Sequence, residues 1–312
     1  MATLKVPSPV PSPVEDAERL RKACQGWGTD EKTVISILAH RDATQRLQIM
    51  NTYEELYKEN LIKRLESELS GDFEKAVYRW MFNPVDREAF LAKYALSKGL
   101  DFRVLIEISC IGSTSHLLAV KQAYQACYKR SIEEDVASKT SGDLRKLLVG
   151  LVSTYRYDGH EVDTGLAVTE AKLLHDVISK KDFNNEEVLR ILTTRSKPQL
   201  RAIFNRYKDE YGAAITKNLT SDDGDEFASA LRIAMRCIAS SHNYFEKLLR
   251  TAMDKPGTDE DTLTRVIVTR ADTDLKDIKE IYEKRANKSL EQAISKETSG
   301  HYKNFLLALL GN

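Results

Sequence analysis

An all-α repeat array is the fold class this sequence predicts, and three observations carry the prediction. Apolar residues recur at the helical i, i+3, i+4 spacing, as in Val34, Ile37 and Leu38 and again in Ala76, Val77 and Trp80. One pattern of anchor, apolar pair and tyrosine runs through the chain four times. Short β-branched runs such as Val266-Ile267-Val268 sit behind a capping threonine and lack the alternation of a half-buried strand.

The repeat is read from helices that end in Arg41, Arg195 and Arg270, with a diverged copy anchored at Gly112. Twelve residues behind the four anchors, in chain order, stand Tyr53, Tyr124, Tyr207 and Tyr282. Ahead of each anchor lies an apolar pair: Val34 and Ile37, Leu105 and Ile108, Val188 and Ile191, Leu263 and Val266. Further on come Leu61, Ile132, Ile215 and Leu290, then Phe73, Leu144, Phe227 and Tyr302. No copy needs a gap between anchor and aromatic. Units of about seventy residues hold four or five short helices each.

Taken in order, residues 1–13 are an extended N-terminal arm rich in proline and serine. Repeat one covers 14–84 and repeat two 85–156. A connector with an Asp158-Gly159 turn signal covers 157–168, followed by repeat three over 169–243 and repeat four over 244–312. The long interval between the second and third anchors predicts two pairs of repeats divided at that connector.

Composition narrows the function. With 42% hydrophobic residues the 312-residue chain has material for a core, and disorder is excluded. Lysine plus arginine and aspartate plus glutamate balance at 47 each, so no global field draws the chain to nucleic acid or anionic lipid. The start reads as no signal peptide, and no stretch reaches the roughly 20 apolar residues that span a bilayer. Cys24, Cys110, Cys127 and Cys237 form no C-x-x-C pair and read as reduced thiols of a cytosolic protein.

The stretch that carries chemistry is Gly26-Trp27-Gly28-Thr29-Asp30-Glu31, nearly copied as Lys255-Pro256-Gly257-Thr258-Asp259-Glu260. Glycine allows a tight turn that aims carbonyls at one point, Thr29 is placed to cap the next helix, and the acids suit its positive end. At one fixed offset from the four anchors stand Glu68, Lys139, Asp222 and Glu297, each before a turn-like segment such as Ser70-Gly71-Asp72. A carbonyl-lined turn plus one carboxylate is a calcium-type donor set. One carboxylate half neutralises a divalent ion, so such a site is weak, with dissociation constants of about 10⁻⁴–10⁻³ M, and leaves positions open for a phosphate oxygen. An EF-hand is excluded, because Leu219 and Ala230 fall where its first and twelfth ligands belong.

On the fourfold repeat, the G-W-G-T-D loop with Glu68 and the run Leu38-Ala39-His40-Arg41, the chain resembles an annexin, and a plant annexin in particular. The resemblance spans Val14 to the C-terminus. It implies five helices per repeat, a slightly curved disc and calcium loops on the convex face. It implies a Ca²⁺ site on the main-chain carbonyls of Cys24, Gly26 and Gly28 with the Glu68 carboxylate. The matching positions of repeat four are Met253, Lys255, Gly257 and Glu297. Repeats two and three read as silent, through Ser97, Leu100 and Lys139 and through Lys180, Asp182 and Phe183.

The resulting expectation is calcium-dependent binding of anionic phospholipid membrane by a cytoplasmic, peripheral protein, monomeric or weakly oligomeric, with no nucleic acid and no catalytic residue. Trp27 reads as an interfacial contact and Lys255 as a second, whereas Trp80 reads as core. The resemblance also implies alternatives: peroxidase-type chemistry through His40 or the Cys110 and Cys237 sulfurs, ion conduction, actin binding and a part in plant stress responses. His40 reads as a packed or solvated helix-end histidine, and the cysteines as buried thiols. Charged runs such as Glu133-Glu134-Asp135 read as solvated faces.

Overall fold

Side-chain caps open the first and third five-helix groups, Ser12 accepting from the Glu15 N–H and Asp163 from that of Leu166. The computed structural model describes residues 1–26, 28–97, 99–219, 225–254 and 257–312; Trp27, Lys255 and Asp222, all singled out above, lie outside them. Among the described residues there are twenty α-helices and no strand. Repeat one comprises α1 (Pro13–Ala23), α2 (Glu31–Leu38), α3 (Ala43–Tyr57), α4 (Leu61–Glu68) and α5 (Gly71–Met81). Repeat two follows as α6 (Pro84–Ser97), α7 (Phe102–Ile111), α8 (Thr114–Tyr128), α9 (Ile132–Lys139) and α10 (Gly142–Val152). Then come α11 (Thr164–Ser179), α12 (Glu186–Thr194), α13 (Lys197–Tyr211), α14 (Ile215–Asn218) and α15 (Glu226–Ala239). The last five are α16 (Ser241–Met253), α17 (Glu260–Arg270), α18 (Leu275–Ala286), α19 (Leu290–Glu297) and α20 (Gly300–Leu309).

The repeat register is a core register. Tyr53, Tyr124, Tyr207 and Tyr282 are all buried, as are Leu61, Ile132, Ile215 and Leu290 at the starts of the fourth helices. Each buried phenol needs a polar partner. Arg21 donates to the Tyr53 hydroxyl (3.2 Å), Asn218 to that of Tyr207 (3.1 Å), and Tyr124 donates to Asp135 (2.5 Å). Trp80 is fully buried as expected, its indole N–H donating to the Leu38 carbonyl at 2.7 Å and the Arg46 guanidinium stacked 3.8 Å above its ring.

The anchor residues fix the first helix of a repeat. Arg41 makes a bidentate pair with Asp16, Nε to Oδ2 at 2.7 Å and Nη2 to Oδ1 at 2.8 Å, with both side chains buried. Arg195 grips Glu170 in α11 at the same sequence spacing, with Nη2 to Oε1 at 2.7 Å. In repeat four the same spacing brings Arg270 over the Phe245 ring, 5.0 Å from its centroid.

Two features depart from the sequence reading. The chain divides into two compact units, Met1–Arg87 with His242–Asn312, and Glu88–Ser241, so repeat one joins repeat four rather than repeat two. Non-local packing decides this: α5 packs on α17 and α20, and α2 on α20. The N-terminal arm belongs to the same unit, Thr3 donating from its N–H to the Ala271 carbonyl (2.9 Å) and from Oγ1 to that of Leu309 (2.6 Å). The second departure is Asp135. It is buried rather than solvated, because Tyr124, Lys93 (2.9 Å) and Arg130 (2.7 Å) converge on its carboxylate.

Arg41→Ala leaves Asp16 a buried, unpaired carboxylate. Stability is expected to fall by about 3–5 kcal/mol in urea unfolding, against under about 1 kcal/mol for an exposed pair.

Candidate metal centre

The first loop leaves α1 at Cys24, whose N–H donates to the Leu20 carbonyl (3.1 Å), and closes where the Asp30 N–H donates to the Ala23 carbonyl (2.9 Å). Between them Gly26 and Gly28 hold φ of +105° and +87°, a region open to glycine and strained for other residues. A Cβ at either position would meet no atom within 4 Å, so backbone conformation alone demands glycine and the loop face is open. Repeat four copies the closure, with the Asp259 N–H donating to the Ala252 carbonyl (2.9 Å) and Gly257 at φ +82°.

The threonines do not cap, contrary to the sequence reading. Asp30 caps α2, accepting from the Thr33 N–H at 3.1 Å, and Asp259 caps α17, accepting from the Thr262 N–H at 3.0 Å. With the cap supplied by aspartate, the Thr29 hydroxyl is free to donate to Glu68 Oε2 (2.9 Å). Thr258 likewise donates to the Glu297 backbone carbonyl (3.2 Å). Loop and distant glutamate are therefore adjacent in both repeats. Glu68 and Glu297 end α4 and α19, and both line one cleft of about 350 Å³ with Glu31, Asp72, Glu260 and His301. A wall this rich in carboxylates focuses cations.

The residue that sequence reasoning missed is Arg64. One turn ahead of Glu68 in α4, its Nη2 lies 2.9 Å from Glu68 Oε1, and the same nitrogen donates to the Cys24 carbonyl. Its only sequence signal is the i, i+4 spacing of an ordinary helix-surface pair. The guanidinium is a stand-in cation: it shows that the Cys24 carbonyl and the Glu68 carboxylate converge on one positive group. Hard oxygens meeting at an open glycine loop fit a calcium-type ion. Among the described residues no three His, Cys, Asp or Glu side chains gather to hold a metal.

The remaining predicted positions are placed as follows. The Cys24 side chain turns inward, and burial first, then the Glu68 charge, pushes its thiol up to about 11. Met253 is buried at the end of α16, while Lys255 and Trp27 lie outside the described residues. In repeat two the Asp101 N–H closes on the Ala95 carbonyl (3.1 Å), a span one residue shorter than Ala23–Asp30, and Lys139 is exposed at the end of α9. In repeat three Phe183 is buried, so core packing fills that corner. His40 Nδ1 is hydrogen-bonded with the Lys5 carbonyl (3.0 Å). Cys110 and Cys237 are buried, neither in a disulfide, on the mutually packed α7 and α15, and burial pushes the Cys110 thiol up.

Comparison with known proteins gives one answer. The model of the annexin family matches residues 15–80, 87–151, 169–233 and 244–309. The annexin-like protein RJ4 of Fragaria ananassa is 59% identical over 312 residues, covering 100% of this chain and 99% of that protein. Among solved structures, chicken annexin V in complex with Zn²⁺ aligns with a TM-score of 0.93 at 35% identity, over 100% of this chain and 98% of the other. Calcium-bound annexin (Sm)1 aligns with a TM-score of 0.84 at 29% identity, over 100% and 93%.

Thiol titration at pH 8 with an aromatic disulfide is expected to find one rapid equivalent in the native protein, the exposed Cys127, and four after denaturation. Rapid reaction of Cys24 or Cys110 would contradict the burial and raised thiol pKa described above.

Proposed function

The chain belongs to the annexin family, and from that premise we propose that it binds anionic phospholipid membrane when calcium is present. The observation that carries this reading is the contact of Thr29 with Glu68 beside a positive-φ loop, repeated by Thr258 and Glu297. In this reading the carbonyls of Cys24, Gly26 and Gly28 and the Glu68 carboxylate hold the ion in repeat one. Met253, Lys255, Gly257 and Glu297 do so in repeat four. Bound calcium supplies a divalent positive charge with coordination positions left for a lipid phosphate oxygen.

The chain's own residues do the rest. Gly26 and Gly28 hold the open turn, Thr29 fixes the carboxylate against it, and Asp30 anchors the turn to α2. Trp27 and Lys255 are the proposed contacts with the headgroup layer, since an indole suits that interface and an ammonium suits a phosphate. Two weak sites on one unit reinforce each other through effective concentration. Among the described residues no helix is long and apolar enough to cross a membrane, which supports peripheral attachment.

Cosedimentation with phosphatidylserine-containing vesicles at ~1 mM calcium tests the proposal. Binding is expected with calcium, absent with chelator and absent on pure phosphatidylcholine. Glu68→Gln and Glu297→Gln should each raise the calcium midpoint, and the double variant should abolish binding. Equal binding in chelator, or an unaffected double variant, would overturn the reading.

A further inference from the structure

We propose that Arg64 is a built-in competitor of calcium, its guanidinium occupying the first loop's Cys24 carbonyl and Glu68 carboxylate until the metal displaces it. The inference rests on the calcium reading of that loop. Its geometry is specific. A single nitrogen, Nη2, both contacts Glu68 Oε1 at 2.9 Å and donates to the Cys24 carbonyl, two of the groups assigned to the ion. Calcium takes such oxygens at about 2.3–2.6 Å, so the ion and this nitrogen, both positive, cannot share them.

A place to retreat is already present. Arg64 Nη1 lies 3.9 Å from Oε1 of Glu59, in the turn between α3 and α4, where Arg21 and the Tyr53 hydroxyl (3.4 Å) hold that carboxylate. The Arg64 Nε is buried without a hydrogen-bond partner, so the guanidinium is held by part of its donor set only. A modest rotation exchanges Glu68 for Glu59 and keeps the charge paired.

The other repeats serve as internal controls. Four residues ahead of Glu297 stands Ala293, buried in α19. At the matching positions of repeats two and three stand Asp135 and Asn218. Only the first repeat carries a cation there. Glu297 instead faces Lys296, whose Nζ is 3.4 Å away on a side chain 77% exposed. A solvated ammonium of that kind gives way easily. The loop with its full set of glycines is thus the one that carries an internal cation, and its calcium threshold is higher than its ligands alone would set.

The test isolates the first loop in a Glu297→Gln background and titrates calcium by calorimetry without lipid, with vesicle cosedimentation in parallel. Arg64→Ala and Arg64→Gln are expected to lower the calcium midpoint about tenfold, the size of one charge-assisted hydrogen bond. They should also lower the melting temperature in chelator and enlarge its rise with calcium. If Arg64 merely braces the loop, removing it raises the midpoint, and a raised or unchanged midpoint overturns the proposal. Glu68→Gln separates the two levels. If it leaves the isotherm unchanged, the first-loop site itself falls, and the Arg64 proposal with it. Should Arg64→Ala fail to fold by circular dichroism, Arg64→Gln, close in length, carries the same readout.

Discussion

The bidentate Asp16–Arg41 pair is the interaction on which the first repeat depends. It ties the segment after α2 to the start of α1, and so fixes how the two helices pack. The glycine loop joins the opposite ends of the same two helices, closed by one backbone hydrogen bond from Asp30 to Ala23. A loop with two positive-φ glycines has little rigidity of its own. Its shape is imposed by two helices that are clamped from below, and the carboxylate is then delivered by α4 from forty residues away. Glu170 and Arg195 repeat the clamp in the third copy, where no glycine loop survives, so the clamp is a property of the fold and the loop is an addition to it.

Much of this was legible in the sequence, for identifiable reasons. The four tyrosines and the apolar residues around them are spaced by helix packing, and packing leaves a periodic trace; all four phenols are buried. The fixed distance from Gly28 to Glu68 and from Gly257 to Glu297 likewise reflects one path through three helices that occurs in both repeats, and the Thr29 and Thr258 hydroxyls now account for it. What escaped were choices that only tertiary contact makes. Thr29 and Asp30 are both good caps, and the nearby Glu68 decides which one caps. Asp135 belongs to an acidic run, and only Tyr124, Lys93 and Arg130 reveal it as buried. The union of repeats one and four arises from α5 against α17 and α2 against α20, contacts between opposite ends of the chain. Arg64 hid in a spacing common on every exposed helix.

The two glycine loops therefore differ in ways that composition conceals. Each is tied through a threonine to a glutamate, and the two glutamates line the same acidic cleft. The first satisfies that glutamate internally, through a guanidinium that also reaches the loop backbone. The fourth has an alanine in its place and leaves its glutamate beside a solvated lysine. Similar motifs carry different electrostatic histories.

At Cys24 and Met253 the sulfur-bearing side chains are buried, and the proposed ion-binding group is the main-chain carbonyl. Where the working group is a main-chain carbonyl, the side chain on the same residue is released from chemical duty and answers only to packing. Such a position can drift among apolar residues of similar bulk without touching the donor atom, whereas Gly26 and Gly28 cannot drift at all without forfeiting their φ. Variation and constancy would then alternate along the loop, residue by residue, according to which atoms face out.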